Sequence, residues 1–206
     1  MSQVASPYGL RVKKILGDLP FSGGSHTYSL TQNTTAGIYF GDPVGLVAGQ
    51  PTPIAATPTT TLGPNNPIGV MMGASWIDPI RGFVNSQYLP ANLYSSGATK
   101  IQLKIADATS IVMQVQADGP VVLSQIGLNA SLNIPSPTGS TVTGNSLISL
   151  NSASILGTAT LAVRIYDIPL EAAPSPGASN QPGDPFTDVL VLWNFGIHRF
   201  QTGAGQ

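Results

Sequence analysis

Ile101, Leu103 and Ile105 alternate with Gln102 and Lys104, and after a short connector Ile111, Met113 and Val115 alternate with Gln114 and Gln116. A period of two puts aliphatic side chains on one face of an extended chain and polar ones on the other, the pattern of a half-buried strand. Leu161, Val163 and Ile165 repeat it with Arg164 and Tyr166 outward. With 23 Gly and 18 Pro among 206 residues, the chain is interrupted too often for a mostly helical protein. The connector Ala106 to Ser110 has the length of a longer hairpin loop, so residues 100–117 are expected to form an antiparallel hairpin.

Val189 to Trp193 is apolar without alternation, which requires cover on both faces, either centrally in a sandwich or in a subunit interface. The triplet Gly41-Asp42-Pro43 precedes the apolar Val44, Leu46 and Val47, and Gly183-Asp184-Pro185 precedes the strand that starts near Thr187, which hints at related corners. The Pro-rich stretches Gln50 to Pro67 and Glu171 to Pro185 are excluded from interior strands, because each Pro lacks a ladder donor. They are expected at edges or as extended surface arms. Pro67 to Asp78 reads as a strand in which Gly69 and Gly73 mark a bulge or a close backbone approach, and its expected partner is the strand near Val44.

Charged residues make up 8% of the chain, against roughly 25% in an ordinary soluble domain. Eight basic and nine acidic side chains leave a net charge of -1, so the electrostatic footprint of a nucleic-acid binder is missing. A surface of Ser, Thr, Asn and Gly protects a free monomer poorly from association. It suits a protein packed against copies of itself or against a larger body. No apolar run approaches 18 residues, and Met1 to Asp18 lacks the apolar stretch of a signal peptide, so neither a spanning helix nor a membrane partner is expected.

Without Cys, disulfides, iron-sulfur clusters, thiolate zinc sites and thiol catalysis are excluded. His26 and His198 do not stand in ligand spacing, no Asp-rich calcium loop occurs, and Ser22-Gly23-Gly24-Ser25 lacks the Lys-Ser/Thr ending of a phosphate loop. Ser25 beside His26 makes no relay by adjacency, and the Gly-x-Ser-x-Gly elbow is missing. No catalytic, cofactor-binding or metal-binding residue is assigned, and no enzymatic activity is expected. Trp76, before Asp78-Pro79 at a strand end, and Tyr88 are the candidate exposed platforms for a sugar-binding or receptor-binding role.

Ser6-Pro7-Tyr8-Gly9-Leu10, Tyr39-Phe40-Gly41-Asp42-Pro43-Val44, Ile68-Gly69-Val70 with Gly73-Ala74-Ser75-Trp76, Ser86-Gln87-Tyr88-Leu89-Pro90, Gln114-Val115-Gln116-Ala117-Asp118-Gly119 and Thr187-Asp188-Val189-Leu190-Val191 follow one another along nearly the whole chain. In this order they resemble the head decoration, or capsid cement, proteins of tailed bacteriophages. The resemblance implies a β-rich virion protein, made in the host cytoplasm, that binds the outer surface of an assembled capsid. It implies the major capsid protein and further copies of the chain as partners, with a homotrimer as the oligomer, and it carries over no active site.

The fold expected is all-β: an antiparallel sandwich or barrel, jelly-roll-like, in one domain spanning 1–206, with an extended N-terminal arm over 1–20, long Pro-rich loops and a flexible tail over 201–206. Tyr8, Leu10, Arg11, Lys13 and Lys14 are the expected capsid contact, since three of the eight basic residues fall there. Trp193, Phe195 and Ile197 are the expected subunit interface, where large apolar side chains act as anchors. The competing reading is a carbohydrate-binding or receptor-binding virion protein.

Overall fold

The structure is a computed structural model, and it describes residues 4–58, 66–170 and 180–195. In chain order the strands are β1 (Arg11–Ile15), β2 (Leu19–Pro20), β3 (His26–Leu30), β4 (Ile38–Tyr39), β5 (Pro43–Val47), β6 (Gln50–Pro53), β7 (Pro67–Asp78) and β8 (Gly82–Ser86). They continue as β9 (Tyr88–Leu89), β10 (Thr99–Ala106), β11 (Ile111–Gln116), β12 (Asn129–Ala130), β13 (Leu132–Asn133), β14 (Ser149–Leu150), β15 (Val163–Asp167) and β16 (Asp188–Trp193). Two large antiparallel sheets result. The first has the order β12-β15-β16-β11-β1-β2; the second has β3-β10-β7-β5-β6, with β8 also on β7. This is an all-β fold consistent with a sandwich, and neither sheet closes into a barrel.

The alternation in β10 and β11 is present as read, but the two strands are not a hairpin. β10 pairs with β3 and β7, while β11 pairs with β1 and β16, so the connector carries the chain from one sheet to the other. Periodicity fixes which side chains face a core; it does not say which strand lies alongside. Ile101, Leu103 and Ile105 enter one core, and Ile111, Met113 and Val115 enter another.

The first core lies under the first sheet. Val189 and Val191 of β16, Val163 and Ile165 of β15 and the three β11 residues are covered by Leu132, Ile148, Leu150 and Ile155 from the long excursion between β11 and β15. The unalternated strand β16 is central, between β11 and β15, and Leu190 on its other face is buried too. The second core gathers Ile38, Val44, Met71, Ala74, Trp76, Leu89 and the β10 aliphatics. β7 and β10 belong to both, through Val70 and Ala106 on one side and Met71 and Ile105 on the other.

β7 pairs with β5 as expected, Val44 opposite Gly69. Its two glycines have different reasons. A Cβ on Gly69 would lie 2.2 Å from the Ala106 carbonyl oxygen, so β7 and the end of β10 approach closely there. Gly73, at φ +152°, sits where the register of β7 on β10 slips by one residue. The Pro-bearing strand β6 is an edge strand, as its missing donors require.

The two Gly-Asp-Pro corners are built alike. In each, a glycine near φ +90° (Gly41 at +92°, Gly183 at +88°) is followed by an Asp whose amide donates to the carbonyl three residues back. The Asp carboxylate in turn accepts that same residue's amide: Tyr39 N to Asp42 Oδ2 and Gln181 N to Asp184 Oδ2, both 2.9 Å. Glycine at the third position of the turn and a proline leading out of it fit a type II turn feeding an extended strand.

The expected arm over 1–20 is shorter than that. Residues 11–20 are built into the first sheet, β1 on β11 with β2 outside it, which leaves 4–10 as the described part of the arm. The tail over 201–206 lies outside the described residues. Among the described residues no helix is long and apolar enough to cross a membrane.

Candidate binding surface

The arm is tied down by polar contacts before it enters the core. Ser6 N donates to Gln116 Oε1 at 2.7 Å, the Tyr8 hydroxyl donates to Asp188 Oδ1 at 2.9 Å, and Leu10 N donates to the Gly41 carbonyl at 2.9 Å. Burial and the neighbouring Asp188 push the Tyr8 hydroxyl well above its ordinary pKa, so it stays a donor. Gly9, at φ +75°, would drive a Cβ to 2.4 Å from Ser146 Cβ, so no side chain fits where the arm turns inward.

The five residues expected at the capsid contact separate into different roles. Leu10 is fully buried in the first core and is no surface contact, its backbone N–H donating to the Gly41 carbonyl. The Lys14 ammonium is paired with Asp18, which raises its pKa, and it lies 5.2 Å from the Tyr166 ring centroid. Arg11 and Lys13 remain oriented to a surface hollow.

Arg11 is half-buried. Its Nε donates to the Tyr8 carbonyl at 3.3 Å and its Nη2 to Asn145 Oδ1 at 3.0 Å, while the guanidinium stands 4.5 Å from the Phe40 ring centroid and 5.8 Å from that of Tyr8. Desolvation lowers its pKa, and no carboxylate lies within ion-pair distance of it among the described residues. Lys13 is exposed at a β-bulge: Val12 faces Met113 and Lys14 faces Val112, so Lys13 has no cross-strand partner and its side chain is re-aimed. A hollow of about 590 Å³ opens beside Tyr8, Arg11, Lys13, Phe40, Met72 and Gln114. A second, of about 300 Å³, shares Phe40 and Met72 and continues to Asn85, Gln87 and Lys104. Phe40 and Met72 are not legible in the sequence as partners of Arg11 in one hollow, nor Lys104 as a member of the adjoining one, because they come from three distant segments; the one local signal is Phe40 directly before the Gly41 corner.

A different surface is formed by the β7–β8 turn. Asp78 Oδ1 accepts the amides of Ile80 and Arg81, both at 2.9 Å, and these donors hold its carboxyl below the usual range. The fixed turn leaves Ile80 94% and Phe83 73% exposed. Both side chains are therefore accessible to a partner.

Trp76 is not an exposed platform. It is 7% exposed and belongs to the second core, at a position of β7 that pairs with Val84 of the neighbouring strand β8. Tyr88 is half-buried and stacks on Tyr39 at 5.5 Å between centroids, on a different strand pair. Of the expected interface residues, Trp193 is half-buried against the first core, Phe195 is 6% exposed, and Ile197 lies outside the described residues. Phe195 is therefore no exposed anchor, since the chain buries it internally. His26 Nδ1 is 3.4 Å from Asp107 Oδ2, which also accepts the Tyr28 hydroxyl at 2.8 Å; His198 lies outside the described residues. Among the described residues no three His, Asp or Glu side chains gather as a metal site would need. Compared with protein-family models, with curated proteins and with solved structures, the chain matches none.

Proposed function

We propose that this chain is a virion structural protein that docks on the outer surface of an assembled phage capsid and stabilises it, acting as a binder and not as an enzyme. Its partners in this reading are the major capsid protein and copies of itself in a trimer, with no role for nucleic acid or membrane, and its two sheets are the halves of a jelly-roll-like sandwich. It is made in the host cytoplasm and resides on the shell.

The observation that carries this reading is the β7–β8 hairpin, in which two backbone hydrogen bonds to Asp78 fix the turn that bears Ile80, and pairing with Ile77 sets Phe83 beside it on β8, both side chains exposed. A turn whose backbone is already fixed loses little backbone freedom on docking. An 8% charged chain has few ion pairs to offer, so apolar and hydrogen-bonded contacts must supply most of the affinity. A trimer engaging a shell at three such turns at once gains effective concentration without new contact chemistry. The order of strand and turn motifs quoted above points to the same class of protein.

The test is co-sedimentation of the purified chain with assembled shells of the phage that encodes it, followed by heating of decorated and bare shells. Saturable binding and a higher rupture temperature are expected. A chain that stays at the top of the gradient, or shells that rupture at the same temperature with and without it, would refute the reading.

A further inference from the structure

We infer that the paired hollows around Phe40 and Met72 form one groove that docks an extended acidic peptide segment of a partner protein, with Arg11, Lys13 and Lys104 as its counter-charges. The inference deepens the capsid reading and rests on it only for the partner's identity, the shell protein being the source of the segment.

The charge distribution comes first. Three of the chain's eight basic residues line this groove, and among the described residues no carboxylate lines either hollow. The nearby Asp188 does not line it, and its carboxylate accepts the Tyr8 hydroxyl. In a chain with a net charge of -1 this is a local excess of one sign.

Arg11 is also held ready. The Tyr8 carbonyl and Asn145 fix Nε and Nη2, and the Phe40 ring supports the guanidinium plane, which leaves the Nη1 hydrogens without a hydrogen-bond acceptor in the described contacts. A planar fork fixed in this way suits a carboxylate, and a partly desolvated cation gains most from such a partner. Its lowered pKa agrees with a cation that burial has stripped of water. Lys13, re-aimed by the bulge, and Lys104, opposite Gly73 on β10, set a charge toward each end.

The rest of the lining favours peptide over nucleic acid. Phe40 and Met72 supply an apolar floor shared by both hollows, and Gln114, Asn85 and Gln87 offer amides that match a peptide backbone in both donor and acceptor character. The combined volume is in the range of ligand-binding clefts. A nucleic-acid strand would call for successive stacking rings along a basic track, whereas the rings that line the two hollows among the described residues, Tyr8 and Phe40, both stand beside Arg11 and none lines the end at Lys104 apart from Phe40 itself.

The experiment is fluorescence anisotropy on the full chain with a fluorescein-labelled decapeptide of alternating glutamate and leucine. Its counterpart of alternating glutamine and leucine and a labelled oligothymidylate serve as the other probes. The acidic peptide is expected to bind best, and Lys13→Gln with Lys104→Gln to weaken it about tenfold with no change in melting temperature. Arg11→Gln is expected to weaken it further, and the lysine pair keeps the test valid if that variant folds poorly. Equal binding of the acidic and neutral peptides, tighter binding of the oligonucleotide, or an unchanged affinity in the lysine pair would each overturn the inference. Loss of peptide binding with undiminished shell attachment upholds the groove and removes it from the capsid contact, so the two readings fail separately.

Discussion

The Thr138 hydroxyl donates to Asp42 Oδ2 at 2.7 Å, closing the first Gly-Asp-Pro corner onto the excursion that covers the first core. Asp42 is 3% exposed, and burial raises its carboxyl to about 6 against the opposing hydrogen bonds from Ser146, Thr138 and the Tyr39 amide. A carboxyl whose folded pKa lies above its unfolded value of 3.8 contributes stability below that value and loses it as pH rises through about 6. The gap of roughly 2 units corresponds to about 3 kcal/mol at about 1.4 kcal/mol per unit. Asp42→Asn removes the titration, so its stability relative to wild type should rise by about that amount between roughly pH 4 and pH 7, read from urea midpoints. Thr138→Val takes away a donor to the carboxylate and should steepen the wild-type loss.

Gly69→Ala should destabilise by about 1–3 kcal/mol, because the added methyl meets the Ala106 carbonyl and neither strand has room to retreat between the two cores. Gly24→Ala, with open space around its Cβ, is the control and should leave the urea midpoint nearly unchanged.

Leu10→Ala and Lys13→Ala distinguish core from surface within one short segment. The first opens a cavity beneath the first sheet and should cost about 2–5 kcal/mol. The second should lie within about 0.5 kcal/mol of wild type in thermal or urea unfolding.

Ile80→Ser with Phe83→Ser exchanges exposed apolar groups for hydroxyls without touching Asp78. Stability should be unchanged within about 0.5 kcal/mol, while shell attachment in a sedimentation assay should fall by about tenfold or more. Attachment at the wild-type level would remove this turn from the contact.

Much of the strand content was legible because side-chain period and buried face are local properties: β7, β10, β11, β15 and β16 lie where alternation, glycines and apolar runs put them. Of the expected strand partners, β5 with β7 is found and β10 with β11 is not. Between β10 and β11 the connector length fits a hairpin and a crossing equally well, and only the other strands competing for each edge decide between them. Trp76 lies inside because its face of β7 packs into the second core, a tertiary arrangement that its place before Asp78-Pro79 at a strand end does not reveal. At the candidate surface, Arg11 and Lys13 stood out as charges in a chain that has few. Phe40 and Met72, which line the same hollow, and Lys104, which lines the adjoining one, reach this surface only through tertiary structure.

Because β7 and β10 each line both interiors, neither sheet can lose its packing while the other keeps its own. Melting should therefore be all-or-none. The chain carries a reporter on each side: Trp76 within the second core and Trp193 against the first. Trp193→Phe and Trp76→Phe leave one indole apiece, and within each variant indole fluorescence and far-ultraviolet circular dichroism should share a midpoint, a single cooperative unit that withstands stress intact up to one threshold and then yields everywhere together.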